Sequence, residues 1–139
     1  DGYFAAAHDV TNEFKLTGIY KLKRWTFSAS WIYATGRAYT EPLGGYSVSL
    51  IDGSTANYIV AGAKNSSRYP DYHRLDVSTK FNFDVGDTGK GSIGLSLFNV
   101  YNRKNIWYNE FELDETGLTE TNVSLLGITP NLTLSIKLK

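Results

Sequence analysis

The chain has 139 residues, enough for one ordinary domain, and its 14 basic and 14 acidic side chains give a formal net charge of +0. This balance offers no electrostatic case for binding nucleic acid or an anionic membrane surface. Cysteine is absent, which excludes disulfides, thiol catalysis and cysteine-based zinc sites. The aromatic content of 14%, with 10 Tyr, favours strands and turns.

Apolar and polar residues alternate with a period of two in five segments, which predicts β-strands. In residues 74–85 one parity carries Leu, Val, Thr and Phe, and the other carries Arg, Asp, Ser, Lys and Asn. No apolar run reaches the roughly 18 residues of a membrane-spanning helix. The predicted strands cover about 11–22, 24–38, 72–85, 92–113 and 121–139.

The connections between the predicted strands alternate in length. Short turns are expected at 21–24 and 86–91, a long loop at about 39–71, and a loop of middle length at 114–122. Outer-membrane β-barrels have short periplasmic turns and longer external loops. The alternation also persists for about the 9–11 residues that a tilted strand needs to cross the hydrocarbon. These features favour an antiparallel transmembrane β-barrel.

In such a barrel the apolar residues of each alternating strand face lipid, and the polar residues between them face the lumen. Aromatic residues beside the two short turns suit a membrane-interface girdle: Trp25, Phe27, Phe81 and Phe83. Charged residues on the polar parity are predicted to face the lumen: Glu13, Lys15, Arg74, Asp76 and Lys80. Alternation alone fits equally well a soluble β-sandwich in which the aromatic side chains form the core.

Four short motifs occur in order along the chain. They are "ATGRAYTEPLGGY" (34–46), "RYPDYHRLDVSTKF" (68–81), "NVYNRKN" (99–105) and "LLGITPNLTLSIKLK" (125–139). Together they resemble the C-terminal end of TonB-dependent outer-membrane receptors, particularly those of Bacteroidetes. The chain departs from that family in ending on Leu-Lys, where most members end on an aromatic residue.

The resemblance implies that the chain supplies the last five strands of a barrel of about twenty-two strands. The whole receptor would import a scarce solute, such as a siderophore, vitamin, glycan or peptide, across the outer membrane of a Gram-negative bacterium. The implied partners are outer-membrane lipid, the remainder of the barrel with its plug domain, and the TonB complex, reached through segments outside this chain. A surface lipoprotein is a further candidate partner.

The predicted external loop contains four tyrosines among small polar residues: Tyr39, Tyr46, Tyr58 and Tyr69. Tyrosine combines a rigid apolar ring with a polar tip, which suits ligand recognition. These four residues are therefore the predicted ligand contacts. The alternative is a loop that folds over its neighbours and contacts no ligand.

Catalysis has little support in the sequence. His8 and His73 lack the spacing of a metal site, and His73 is interpreted as a strand-entry residue. In "GDTGKGS" Lys90 precedes Gly91 and no strand-to-helix context follows, which differs from a phosphate-binding loop. We expect no enzyme activity, no cofactor, no metal and no nucleic-acid partner. A soluble carbohydrate-binding β-sandwich remains the alternative function, and a complete small barrel is excluded because bacterial barrels begin at about 8 strands.

Overall fold

The computed structural model describes residues 3–114 and 117–138, and this part of the chain is all-β. No helix in these residues is long and apolar enough to span a bilayer. The chain divides into two compact units. The strands are β1 (Glu13–Leu22), β2 (Trp25–Ala34), β3 (Ala38–Tyr39), β4 (Pro42–Ser49), β5 (Thr55–Ala61), β6 (Ser67–Arg68), β7 (Tyr72–Val85), β8 (Gly89–Phe98), β9 (Ile106–Asp114), β10 (Gly117–Ser124) and β11 (Thr129–Lys137).

The first unit, here called the sheet unit, contains the described parts of 13–34, 72–104 and 126–139. Its five strands are ordered β1-β2-β7-β8-β11, and every neighbouring pair is antiparallel. The predicted antiparallel all-β class is therefore confirmed. Short turns join β1 to β2 and β7 to β8 at one end of the sheet. The long connections from β2 to β7 and from β8 to β11 leave from the other end.

The register of the five-stranded sheet places the apolar parities of all its strands on one face. Leu16 lies opposite Trp31, and Trp31 lies opposite Leu75. Further along the strands, Phe81 lies between Trp25 and Ile93. Because side chains alternate across a strand, the Ser residues, the charged residues and all Thr residues except Thr79 occupy the opposite face. We call these the apolar face and the polar face.

The apolar face is not sealed by a core. The exposed fraction is 71% for Leu132, 69% for Leu16 and 64% for Leu134. Among the described residues, the buried hydrophobic side chains are only those of Ala34 and Ala38. The sheet is therefore held by its hydrogen-bond ladders and by contacts along each face, because no packed interior covers its large apolar side chains.

The second unit, here called the hairpin unit, contains the described parts of 1–12, 35–71 and 105–125. It has three two-stranded ladders, β3–β6, β4–β5 and β9–β10. The two longer hairpins touch where the Asn57 amide donates to the Leu113 carbonyl at 2.9 Å. The predicted loop at 39–71 is therefore largely strand and turn.

The structure also divides two of the predicted strands. The segment 92–113 becomes β8 and β9, and the segment 121–139 becomes β10 and β11, with Lys139 outside the described residues. The break after β8 has a local cause, since Asn99 and Asn102 both adopt left-handed backbone with φ of 53°. A left-handed residue turns the chain out of the ladder, and alternation does not reveal it.

Candidate functional site

The predicted girdle residues form one aromatic cluster on the apolar face, beside the short turns. The Trp25 ring lies 4.7 Å from that of Phe81 and 5.9 Å from that of Phe27, measured between centroids. Phe83 extends the cluster, with its ring 6.4 Å from Phe81. The structure thus brings all four residues together. The cluster lies at the end of the sheet that carries the short turns.

The polar face carries hydroxyl pairs and ion pairs. Ser28 and Ser78 share a hydrogen bond of 2.7 Å across β2 and β7, and Thr17 and Ser30 share one of 3.1 Å across β1 and β2. The residues predicted to face the lumen all lie on this face by strand parity: Glu13, Lys15, Arg74, Asp76 and Lys80. Such a surface is wettable and carries no long apolar run.

Asp76 connects the polar face to the turn that ends β8. Its Oδ2 accepts from Arg74, 2.8 Å from Nη2, and its Oδ1 accepts from the backbone amide of Asn99 at 2.9 Å. The Asn99 side-chain amide donates in turn to the carbonyls of Arg103 at 2.9 Å and Leu126 at 3.0 Å. The alternation pattern contains no signal for this network, because its members belong to three separate segments.

The hairpin unit contains a cavity of about 360 Å³ lined by aromatic and polar residues. Tyr39 and Tyr69 form part of its wall, with their rings stacked at 4.4 Å and 22°. Arg37 lies over the Tyr69 ring at 5.8 Å and donates to the Trp107 carbonyl. The opening thus offers flat rings for stacking beside a guanidinium and several polar groups.

Only half of the predicted ligand contacts line this cavity. Tyr46 and Tyr58 instead stack on each other across the β4–β5 hairpin, with centroids 5.4 Å apart. Arg37, Trp107 and Tyr108 also line the cavity and were not among the predicted contacts. Arg37 lies in the quoted "ATGRAYTEP" motif, which was the available signal. Trp107 and Tyr108 come from β9, about seventy positions after Arg37. No local sequence pattern predicts that they lie beside it.

The polar framework of the cavity is built by Asn65. Its side-chain oxygen accepts from the Thr40 hydroxyl at 3.3 Å, and its amide donates to the Ala5 carbonyl at 2.7 Å. Asn65 has a φ of 52°, a left-handed conformation that asparagine tolerates better than most residues. These contacts fix the wall against the segment that precedes β1.

Two tyrosines of the cavity have raised pKa values. Burial, followed by the negative charges of Glu41 and Glu120, raises the pKa of the Tyr39 hydroxyl. The charge of Glu110, and its hydrogen bond to the hydroxyl, raise the pKa of Tyr108. Both groups therefore stay neutral at ordinary pH, and the Tyr108 hydroxyl already donates its proton to Glu110 Oε1 at 3.2 Å.

The described residues contain no cluster of three or more His, Cys, Asp or Glu side chains placed to hold a metal ion. His73 lies on β7, and its ring meets the Tyr101 ring edge-on at 5.5 Å. Comparison with protein-family models, curated proteins and solved structures returns no match for this chain. The resemblance of the four motifs to outer-membrane receptors therefore stays a prediction.

Proposed function

We propose that this chain forms part of the wall and outer loops of a TonB-dependent outer-membrane transporter that imports a scarce solute. One observation carries the proposal: the five-stranded sheet has one continuous apolar face that remains open and one polar face. In this role the chain performs no covalent chemistry. It separates lipid from an aqueous passage.

The energetic reason lies in the size of the open face. Five strands spaced about 4.8 Å apart give a sheet nearly 20 Å wide, and its apolar side chains are large. Soluble monomers rarely expose a contiguous apolar patch above about 300–600 Å². Hydrocarbon satisfies such a face without a second protein layer, and the polar face then lines water.

The topology supports an assignment of the two sheet ends. Short turns leave one end and both long connections leave the other, as in outer-membrane barrels. The end with the short turns is then periplasmic, and the hairpin unit supplies external loops. Its cavity, with Tyr39 and Tyr69, is the proposed point of solute contact.

The two edges of the sheet require further strands. β1 and β11 each have a neighbour on one side within the described residues. An edge in hydrocarbon leaves backbone N–H and C=O groups without partners, at a cost of several kcal/mol each. We therefore expect residues 1–139 to work together with the remaining barrel and its plug.

The cavity also favours a second candidate, a carbohydrate-binding module, because stacked tyrosines beside polar groups are suited to sugar rings. That function needs no membrane. It predicts a folded monomer in the absence of detergent, and this property separates the two candidates.

The membrane proposal is tested by tryptophan quenching in vesicles that contain brominated lipid. The variant Trp107→Phe keeps Trp25 and Trp31 on the apolar face, and we expect strong quenching. The double variant Trp25→Phe/Trp31→Phe keeps Trp107 in the hairpin unit, and we expect little. A folded, detergent-free monomer would overturn the proposal, as would absence of quenching in the first variant.

A further inference from the structure

Positive charge accumulates on the polar face of the sheet, at the end with the short turns. The whole chain is neutral, but the described residues of this region include six cations against two carboxylates, Asp84 and Asp87. The cations come from the β1–β2 turn and from four of the five strands: Lys21, Lys23, Arg24, Lys80, Lys90 and Lys137. We call this group the basic patch.

The strand register brings the basic patch together. Lys21 and Lys80 both lie opposite Thr26, on its two sides, and Lys90 lies directly between Asp84 and Lys137. Along the sequence these lysines are separated by up to 116 positions. Only the folded sheet reveals them as one surface.

Asp84 neutralises part of the charge. It accepts from Arg24 at 2.9 Å and from Lys90 at 2.5 Å, and all three side chains are about half exposed or more. Among the described residues, no ion pair involves Lys21, Lys80 or Lys137. Each of these lysines is exposed. Clustered like charges repel one another, so binding of an anionic partner to the patch lowers the free energy.

Three cations of the basic patch, Lys23, Arg24 and Lys90, line a cavity of about 430 Å³ together with Asn82 and Asp84. The unpaired lysines are spread more widely than this cavity. Lys80 and Lys137 lie two strands and several residues apart, which corresponds to roughly 15 Å. One phosphate group cannot reach both, but an extended chain with repeated carboxylates can.

We propose that the basic patch binds an acidic polypeptide segment in an extended conformation. Carboxylates at alternate residues of such a segment repeat about every 7 Å, so a segment of several residues can reach lysines that are roughly 15 Å apart. An anionic bilayer fits less well, because the patch lies on the face opposite the apolar one. The inference goes beyond the proposed transport role and does not require that the chain be embedded in lipid.

The test uses the chain in detergent micelles and a fluorescent peptide of alternating Glu and Gly, about ten residues long. Fluorescence anisotropy is expected to show saturable binding that disappears at about 0.5 M NaCl, because salt screens exposed charges. Lys80→Gln/Lys137→Gln is expected to weaken binding by about tenfold, the combined effect of two exposed ion pairs. The matched control Lys15→Gln/Lys104→Gln removes the same charge elsewhere and is expected to leave binding unchanged.

A second measurement needs no variant. Acetylation of lysines, read by mass spectrometry, is expected to slow at Lys21, Lys80 and Lys137 when the Glu–Gly peptide is present, and to stay constant at Lys64. Equal weakening in both double variants would overturn the inference. So would equal binding of a Gln–Gly peptide, or preferential binding of the wild-type chain to phosphatidylglycerol vesicles through the same lysines. The tryptophan quenching above is independent of all these readouts.

Discussion

The Asp76 carboxylate accepts a hydrogen bond from the backbone amide of Asn99, with 2.9 Å between Oδ1 and N. The two residues are 23 positions apart, one on β7 and the other at the turn that ends β8. Asn99 is 2% exposed and, with Asn105, is one of two buried polar residues in the part of the chain that the structure describes. This contact ends the β7–β8 ladder and directs the chain toward β9.

We expect Asn99→Ala to destabilise the chain by about 2–3 kcal/mol, because the carbonyls of Arg103 and Leu126 lose their amide donor. Asn99→Gly also removes the amide but relaxes the left-handed backbone, so its loss should be smaller by roughly 1 kcal/mol. Urea unfolding in detergent micelles measures both. The exposed Asn131→Ala is the control, with an expected change within about 0.5 kcal/mol. Equal stability of Asn99→Ala and Asn131→Ala would contradict the role assigned to Asn99.

The Trp25–Phe81 contact should be energetically coupled. The rings are 4.7 Å apart on neighbouring strands, and such aromatic pairs contribute about 0.5–1.5 kcal/mol beyond area burial. A double-mutant cycle with Trp25→Ala and Phe81→Ala, read by unfolding in micelles, is expected to give a coupling in that range. Trp25→Ala combined with Leu134→Ala, on non-adjacent strands, should be additive within about 0.5 kcal/mol. Additivity in the first cycle would show that the Trp25–Phe81 contact contributes no interaction free energy, which contradicts this prediction.

Gly36 determines the close approach of β3 to the segment after β6. A Cβ at position 36 would lie 1.6 Å from the Tyr69 carbonyl oxygen, whereas a Cβ at Gly18 meets nothing within 4 Å. Gly36→Ala is therefore expected to displace Tyr69, break its stacking on Tyr39 and cost about 1–3 kcal/mol. Gly18→Ala should be neutral or stabilise by up to about 1 kcal/mol. Near-ultraviolet circular dichroism reports the stacking, and an unchanged tyrosine signal in Gly36→Ala would refute this account.

The pKa of Tyr39 should respond to its acidic neighbours. Glu41→Gln removes the larger electrostatic cause and is expected to lower this pKa, with a smaller decrease for Glu120→Gln. Because the folded-state pKa is raised, the contribution of Tyr39 to stability is present below its usual value of about 10 and disappears as pH rises through the raised value. NMR titration of ¹³C-labelled tyrosine measures the shift. Glu112→Gln is the control, and an equal decrease in that variant would contradict the assignment.

Alternation along the chain determined the strands themselves. The prediction of 72–85 coincides with β7, Tyr72–Val85, because the period of two is a local property that needs no partner. The same pattern determined which side chains share a face, and thus predicted the cluster around Trp25 and Phe81. The ends of strands were less predictable. At Asn99, for example, side-chain hydrogen bonds to backbone carbonyls take the place of strand pairing.

Contacts between distant segments were decided only by the tertiary structure. Arg37 and Trp107 line the same cavity although they are far apart in sequence. Lys21 and Lys137 likewise belong to one basic patch, which the neutral composition of the chain does not predict. Strand register creates these neighbours, and register depends on pairing across the whole sheet. The sequence alone therefore determined two-faced strands, whereas folding decided which residues meet, because proximity in space is set by pairing between strands and not by position along the chain.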